Sequence, residues 1–125
     1  GARLVATNAD AALPVAGGLQ PECGAVVAFL ETAGGCTAHV AGKPNPEFFH
    51  LGMALLDCAP EETLMIGDTL ETDILGASRA GVRSALVATG NPVRRGGADG
   101  ADIIPTVSVA DLGELRRLME MSRTS

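Results

Sequence analysis

Leu64-Met65-Ile66-Gly67-Asp68-Thr69-Leu70-Glu71-Thr72-Asp73 passes from an apolar run into a polar turn, and then into a segment of helical character from Ile74 to Ala80. Leu64, Met65 and Ile66 in unbroken succession are the pattern of a buried parallel strand. Gly67 lets the backbone turn sharply where that strand stops. Asp68 then stands just past the strand's carboxyl end, which is where ligands bind in open α/β sheets. Asp73 falls at the start of the helix, where a carboxylate is also an effective cap. Two carboxylates this close repel unless a positive charge lies between them or one keeps its proton. A hard divalent cation relieves the repulsion, and Mg²⁺ typically takes one or two carboxylates, several waters and a phosphate oxygen. In isolation the same residues read as a turn aspartate and an N-cap.

The segment upstream adds a positive charge. Gly42-Lys43-Pro44-Asn45-Pro46 restricts the backbone at both prolines, and Lys43, preceding one, is held extended. A helical stretch follows, with Phe48, Leu51, Leu55 and Leu56 expected near one inward face. Cys58-Ala59-Pro60-Glu61-Glu62 ends it and leads into the Leu64 strand. A strand-end lysine therefore lies one helix before a strand-end pair of aspartates. An ammonium group is a compact charge suited to a phosphate or an aspartyl-phosphate, although an exposed surface lysine has the same local sequence.

Gly42-Lys43-Pro44, then Gly67 through Ile74, then Gly76-Ala77 through Ala80-Gly81, resembles the haloacid dehalogenase-like phosphatases. Ala6-Thr7-Asn8-Ala9-Asp10 is similar to a segment of the branch with a large α/β cap, which includes phosphoglycolate, p-nitrophenyl phosphate and sugar-phosphate phosphatases. The resemblance runs from Arg3 to about Leu118. It implies a partial Rossmann-like α/β/α core with a mainly parallel sheet. Residues 1–41 would be the carboxyl-terminal part of the cap and residues 42–125 that of the core. It also implies Mg²⁺ as cofactor and a small phosphorylated metabolite as partner. Asp68 would hold the metal. Asp73 would support metal waters or Lys43. Lys43 would neutralise charge on the nucleophile and the phosphoryl group. Thr69 and Asn45 would orient these groups, and Asn8 and Asp10 would look toward the substrate. The family's nucleophile belongs to an Asp-x-Asp motif on the first strand, and this sequence contains no Asp-x-Asp. The chain thus looks like the carboxyl-terminal half of such an enzyme, and Gly1 in place of Met fits a cut product or the residue that tag removal leaves.

At 125 residues the chain suffices for one domain. A net charge of -6 argues against nucleic acid and anionic membranes as partners. No apolar run approaches the ~20 residues of a membrane helix, and no signal peptide is visible. Cys23, Cys36 and Cys58 form no Cys-x-x-Cys pair, as expected of reduced thiols in a cytoplasm. Arg3 to Thr7 predicts a strand. Asn8 and Asp10 at its end are turn-formers as readily as site residues. Ala11 to Glu22 predicts a loop, Cys23 to Ala33 a helix stopped by Gly34-Gly35, and Thr37 to Val40 a strand running to Lys43. His39 and His50 have no second ligand at metal spacing. Ser84 to Val87 predicts a strand, followed by a Gly-rich loop from Asn91 to Gly100 whose Arg94 and Arg95 read as solvated. A last strand is expected at Asp102 to Ile104. A helix is expected from Val109 to Met121, with Leu112, Leu115, Leu118 and Met119 inward. Strands and helices alternate, as a mainly parallel sheet requires.

Two functions fit. One is a Mg²⁺-dependent phosphomonoester hydrolase working through an aspartyl-phosphate. The other is a non-catalytic fragment that binds an ion or phosphate weakly or only assembles, as a homo-oligomer or with an amino-terminal half. A nucleotide-binding module fails on motif grounds, because Gly42-Lys43 is followed by Pro44 and not by Ser or Thr. Weak Mg²⁺ binding, no turnover by the isolated chain and self-association are the expected properties.

Overall fold

The computed structural model describes residues 1–89 and 103–122. β5 (Leu64–Gly67), β6 (Arg83–Val87) and β7 (Val107–Val109) form a parallel sheet in that order. Adjacent residues on a strand face opposite sides, and the packing follows that rule. Met65 joins Phe49, Met53, Ala77, Ala80 and Val82 in one cluster, while Leu64 joins Ala85, Val87, Val107, Val109 and Leu115 in another. α2 (Pro46–Leu56) and α3 (Leu75–Arg79) thus cover one face and α4 (Leu112–Ser122) the other. This is the expected α/β/α layering.

The side chains of α2 that face inward differ from expectation. Phe49 and Met53 are buried, whereas Phe48, Leu51, Leu55 and Leu56 are exposed. The reason lies across the contact, in α3. Gly76 has no Cβ, and one placed there would enter the Phe49 ring, so α2 approaches closely only along the 49/53 stripe. α4 shows the same economy: Leu115 alone of its expected inward residues is buried, and Leu112, Leu118 and Met119 are exposed. α4 begins at Leu112, later than Val109, because Asp111 and Glu114 form a capping pair. The Glu114 N–H donates to Asp111 Oδ1 at 2.8 Å, and the Ala110 N–H donates to Glu114 Oε2 at 2.7 Å.

The last strand is Val107–Val109, not the expected segment ending at Ile104. Pro105 offers no N–H to a ladder, and Ser84 and Thr106 cross-bond just beyond it, with the Ser84 N–H donating to Thr106 Oγ1 at 3.0 Å. Asp102, and the Asn91 to Gly100 loop with Arg94 and Arg95, lie outside the described residues.

The amino-terminal part is built around two short pairings. β1 (Val5–Ala6) runs parallel to β4 (His39–Val40). The expected loop from Ala11 to Glu22 is instead an antiparallel hairpin, β2 (Ala12–Val15) with β3 (Gly18–Pro21). Pro14 and Pro21 argue against strands in sequence, but both strands of a two-stranded ribbon are edges, where proline is tolerated. The tight turn uses Gly17 at φ 91°. α1 (Cys23–Gly34) ends as expected, with Gly35 in the left-handed conformation. Cys23, Cys36 and Cys58 are all free thiols. Among the described residues no helix is long and apolar enough to cross a membrane.

β1 and β4 end side by side, and the chain then passes very close to itself. A Cβ on Gly42 would overlap the Thr7 carbonyl oxygen. Backbone cannot yield as a side chain does, so Gly42→Ala is expected to destabilise the chain by about 1–3 kcal/mol, the usual scale of overpacking. Thermal unfolding checks this; an unchanged midpoint would contradict the contact.

Candidate active site

Lys43 leaves β4 through this crossing. The Ala41 N–H donates to the Ala6 carbonyl at 2.8 Å and fixes the strand end. Asn45 then closes the loop twice. Its Nδ2 donates to the Val40 carbonyl at 2.9 Å, and its Oδ1 accepts the Glu47 N–H at 3.0 Å, capping α2 ahead of Pro46. The loop so fixed directs Lys43 Nζ to Asp73 Oδ1 at 2.6 Å. The Asp73 side chain is only 5% exposed and the Lys43 side chain 38%.

Asp73 differs from the expected helix cap. Helical backbone begins earlier, as a π-helical turn over Leu70–Ile74 that runs into α3. Such turns recur at functional sites. From inside it, Asp73 reaches back: its Oδ2 accepts the N–H groups of Asp68 and Thr69 at 3.1 and 3.2 Å. One oxygen therefore faces the lysine and the other holds the turn that carries Asp68. Gly67 owes its place to this carboxyl group as well as to the turn, since a Cβ at Gly67 would overlap Asp73. The charge that relieves repulsion at Asp73 is thus Lys43, supported by backbone dipoles, and Asp68 is left facing the cleft. Thr69 Oγ1 donates to Asp68 Oδ1 at 3.0 Å.

Lys43, Asp68, Thr69 and Asp73 line one cleft of about 480 Å³, together with Asp10 from the turn after β1. Asn8 does not line it. The Asn8 Oδ1 accepts the Asp10 N–H at 3.0 Å, which folds the turn that presents Asp10. Asn45 likewise commits its amide to the loop. His39 pairs with Glu47 at 3.3 Å on the surface, and His50 is exposed. The residues that sequence reasoning did not single out are Thr72 and Glu22, which line the same cleft, Glu71, and the hairpin's Pro14 and Leu19. Glu71 and Thr72 stood inside the Gly-Asp motif. The hairpin's signal is Ala16-Gly17, a two-residue turn with glycine at its positive-φ position, followed by Gly18.

The donor chemistry suits a hard cation in type, because Asp68 offers a carboxylate at a strand end beside the cleft. The set is partial: among the described residues no group of three or more His, Cys, Asp or Glu side chains is placed to hold a metal.

Lys43, Asp68 and Asp73 converge on one cleft beside the carboxyl end of β5. The HAD-hydrolase-like family model matches residues 40–115. The chain belongs to the haloacid dehalogenase-like hydrolase family. It is 46% identical over 90 residues to a D-glycerol 3-phosphate phosphatase of Mycobacterium tuberculosis, covering 72% of this chain and 25% of that protein. It is 38% identical over 90 residues to the ribonucleotide monophosphatase NagD of Escherichia coli, covering 72% of this chain and 35% of that protein. Among solved structures it is similar to a glycerol phosphate phosphatase from Mycobacterium tuberculosis in complex with magnesium, with a TM-score of 0.78 and 42% identity over 92% of this chain and 35% of that one. The chain therefore spans about a quarter to a third of the length of these relatives.

Proposed function

We propose that this chain carries the lysine-and-acid half of a Mg²⁺-dependent phosphomonoester phosphatase acting on a small phosphorylated metabolite. The observation that carries the reading is the 2.6 Å contact of Lys43 Nζ with Asp73 Oδ1, set beside Asp68 in one cleft. Residues 1–41 serve as the cap-derived part, presenting Asp10 on the turn that Asn8 folds. Residues 42–125 serve as the core-derived part. Its free thiols and acidic charge suit a cytoplasmic setting.

Lys43 places positive charge where a transferring phosphoryl group accumulates negative charge. Asp73 holds Lys43 in position and, through two backbone N–H groups, holds the turn that bears Asp68. Asp68, with its Thr69 contact, would hold Mg²⁺. When bound, the ion supplies charge stabilisation on the phosphoryl oxygens. Asn45 acts through the loop it closes, keeping Lys43 aimed. The attacking carboxylate of such a reaction forms an acyl-phosphate as the ester P–O bond breaks, and water later releases phosphate. The sequence has no Asp-x-Asp motif to supply it, so the chain alone leaves p-nitrophenyl phosphate at background hydrolysis. That same absence supports the second reading, a fragment that binds phosphate and ion weakly without catalysis.

The test is inorganic phosphate binding in the presence of Mg²⁺, followed by calorimetry and ³¹P NMR. Lys43→Ala is expected to weaken it by about tenfold or more, since one hydrogen bond to a charged group contributes about 1.5–3 kcal/mol. Asp68→Asn is expected to remove the Mg²⁺ dependence. Phosphate binding indifferent to both substitutions would refute the site. A micromolar or tighter Mg²⁺ site in the unaltered chain would contradict the partial coordination shell.

A further inference from the structure

Lys43 sits in the bend between β4 and α2, and its aim depends on how those two elements are held to each other. Asn45 ties the bend from inside. Its backbone N–H donates to the Gly42 carbonyl at 2.9 Å, and its side chain joins the Val40 carbonyl to the Glu47 N–H. A further tie spans the bend from outside. His39 Nε2 on β4 lies 3.3 Å from Glu47 Oε2 in the first turn of α2. The two partners stand four residues before and four residues after Lys43, so they bracket it.

The ties differ in chemistry. Those made by Asn45 join neutral groups and persist across ordinary pH. The outer one joins an imidazole to a carboxylate, and histidine changes charge between about pH 5 and 8. Protonation of the ring turns the contact into an ion pair. A negative side chain in the first turn of a helix is also favoured by the helix dipole, which suits Glu47 to the role. The other surroundings of His39 are uncharged. β1 sets Val5 beside it in register, and the Leu4 carbonyl takes its backbone N–H at 2.9 Å. Lys43, the nearest cation along the chain, is directed to Asp73.

The His39 and Glu47 side chains are 47% and 69% exposed, and an exposed pair shifts an equilibrium by about fivefold at most. A bias of that size matters where it sets the direction of one binding group, because affinity scales with the fraction of chains in the competent arrangement. We infer that His39 and Glu47 are positioning residues for Lys43: the protonated imidazole draws the start of α2 onto the end of β4 and raises the fraction of chains whose Lys43 points into the cleft. Neither residue lines that cleft, so both act through the bend. The inference rests on the reading of Lys43 as the cation that holds phosphate.

The experiment measures inorganic phosphate binding by the full chain in Mg²⁺ at about pH 5.5 and about pH 8, either side of the histidine range, for the parent, His39→Gln and Glu47→Gln. Glutamine at position 39 keeps an N–H donor and cannot take up charge, so it stands for the neutral ring. The ratio of parent to variant affinity cancels the titration of phosphate itself. At the lower pH the parent is expected to bind about two- to fivefold more tightly than either variant, and the double variant to bind no more weakly than the single ones. At the higher pH the three are expected to bind about equally. Added salt closes the gap at the lower pH. Amide exchange at Asn45 and Glu47 is expected to be faster in His39→Gln than in the parent at the lower pH only. Either variant carries the test should the other fail to fold. A ratio that is the same at both pH values, in a folded variant that still binds phosphate in a Lys43-dependent way, overturns the positioning role and leaves the phosphatase reading standing. No phosphate binding at all overturns that reading, and this inference with it.

Discussion

Asp73→Asn is expected to lower the stability of the chain by about 2–4 kcal/mol and to abolish phosphate binding. Removing one partner of a buried ion pair usually costs about 3–5 kcal/mol, because the other charge is left uncompensated. Lys43 is 38% exposed, so water takes up part of that loss, and the lower figure applies. The amide also loses an acceptor where three donors converge, namely Lys43 Nζ and the N–H groups of Asp68 and Thr69. An asparagine turned to keep its oxygen toward the N–H groups presents its own NH₂ to the ammonium. For a domain of this size the change corresponds to a melting midpoint lower by about 6–20 °C. Lys43→Met leaves Asp73 with two backbone donors and should cost less. The double variant should recover part of the sum, because contacting partners couple. Additive losses, or a midpoint within ~2 °C of the parent for Asp73→Asn, would show that the pair is not the keystone of the turn.

Lys43, Asp68, Thr69, Asp73 and Asp10 share one cleft, whereas Asn8 and Asn45 do not line it, and glycines in the sequence show part of the reason. Gly42, Gly67 and Gly76 each mark a place where two segments meet without room for a Cβ, and two of those places bring Lys43 and Asp73 into position. Such glycines are visible in sequence, but the partner each admits is not. Asp73 illustrates the limit. Its type and spacing were legible, but its reach back to the Asp68 and Thr69 N–H groups depends on a π-helical turn that no local propensity announces. Asn45 was legible as a polar residue next to Lys43, whereas its double engagement with Val40 and Glu47 follows from the path of the loop.

The helix faces were the least legible part. Phe48, Leu51, Leu55 and Leu56 are as apolar as Phe49 and Met53, so periodicity offers two stripes and cannot choose between them. The choice is made by Gly76 and Ala77 on the neighbouring helix. The expected strand at Asp102 to Ile104 and the observed one at Val107–Val109 flank Pro105, whose missing N–H keeps it out of a ladder. The hairpin is hard to read in sequence because Pro14 and Pro21 count against strands everywhere except at edges.

Self-association of the isolated chain is the second large expected effect. Among the described residues β5 pairs with β6 on one side only, so its other edge presents N–H and C=O groups without ladder partners. An uncovered strand edge templates pairing with another chain. Ile66 on that strand is 43% exposed, and Leu55 and Leu56 on α2 are 78% and 74% exposed. Phe29 on α1 is 70% exposed. A monomer seldom shows so many large apolar side chains at once. The net charge of -6 opposes association, but at physiological salt charges more than about 8 Å apart are largely screened. A second copy covering the β5 edge would need to bury about 1,600 Å² in total for a stable complex. The exposed faces supply apolar surface on both sides of such a contact. Light scattering is expected to give a mass above that of one chain, rising with concentration. Ile66→Lys should shift the mass toward the monomer, since an edge lysine is costly to bury in a paired sheet. A clean monomer across the micromolar range, with fast amide exchange at Met65 and Ile66, would show that the edge stays open to water and that the exposed residues do not drive assembly.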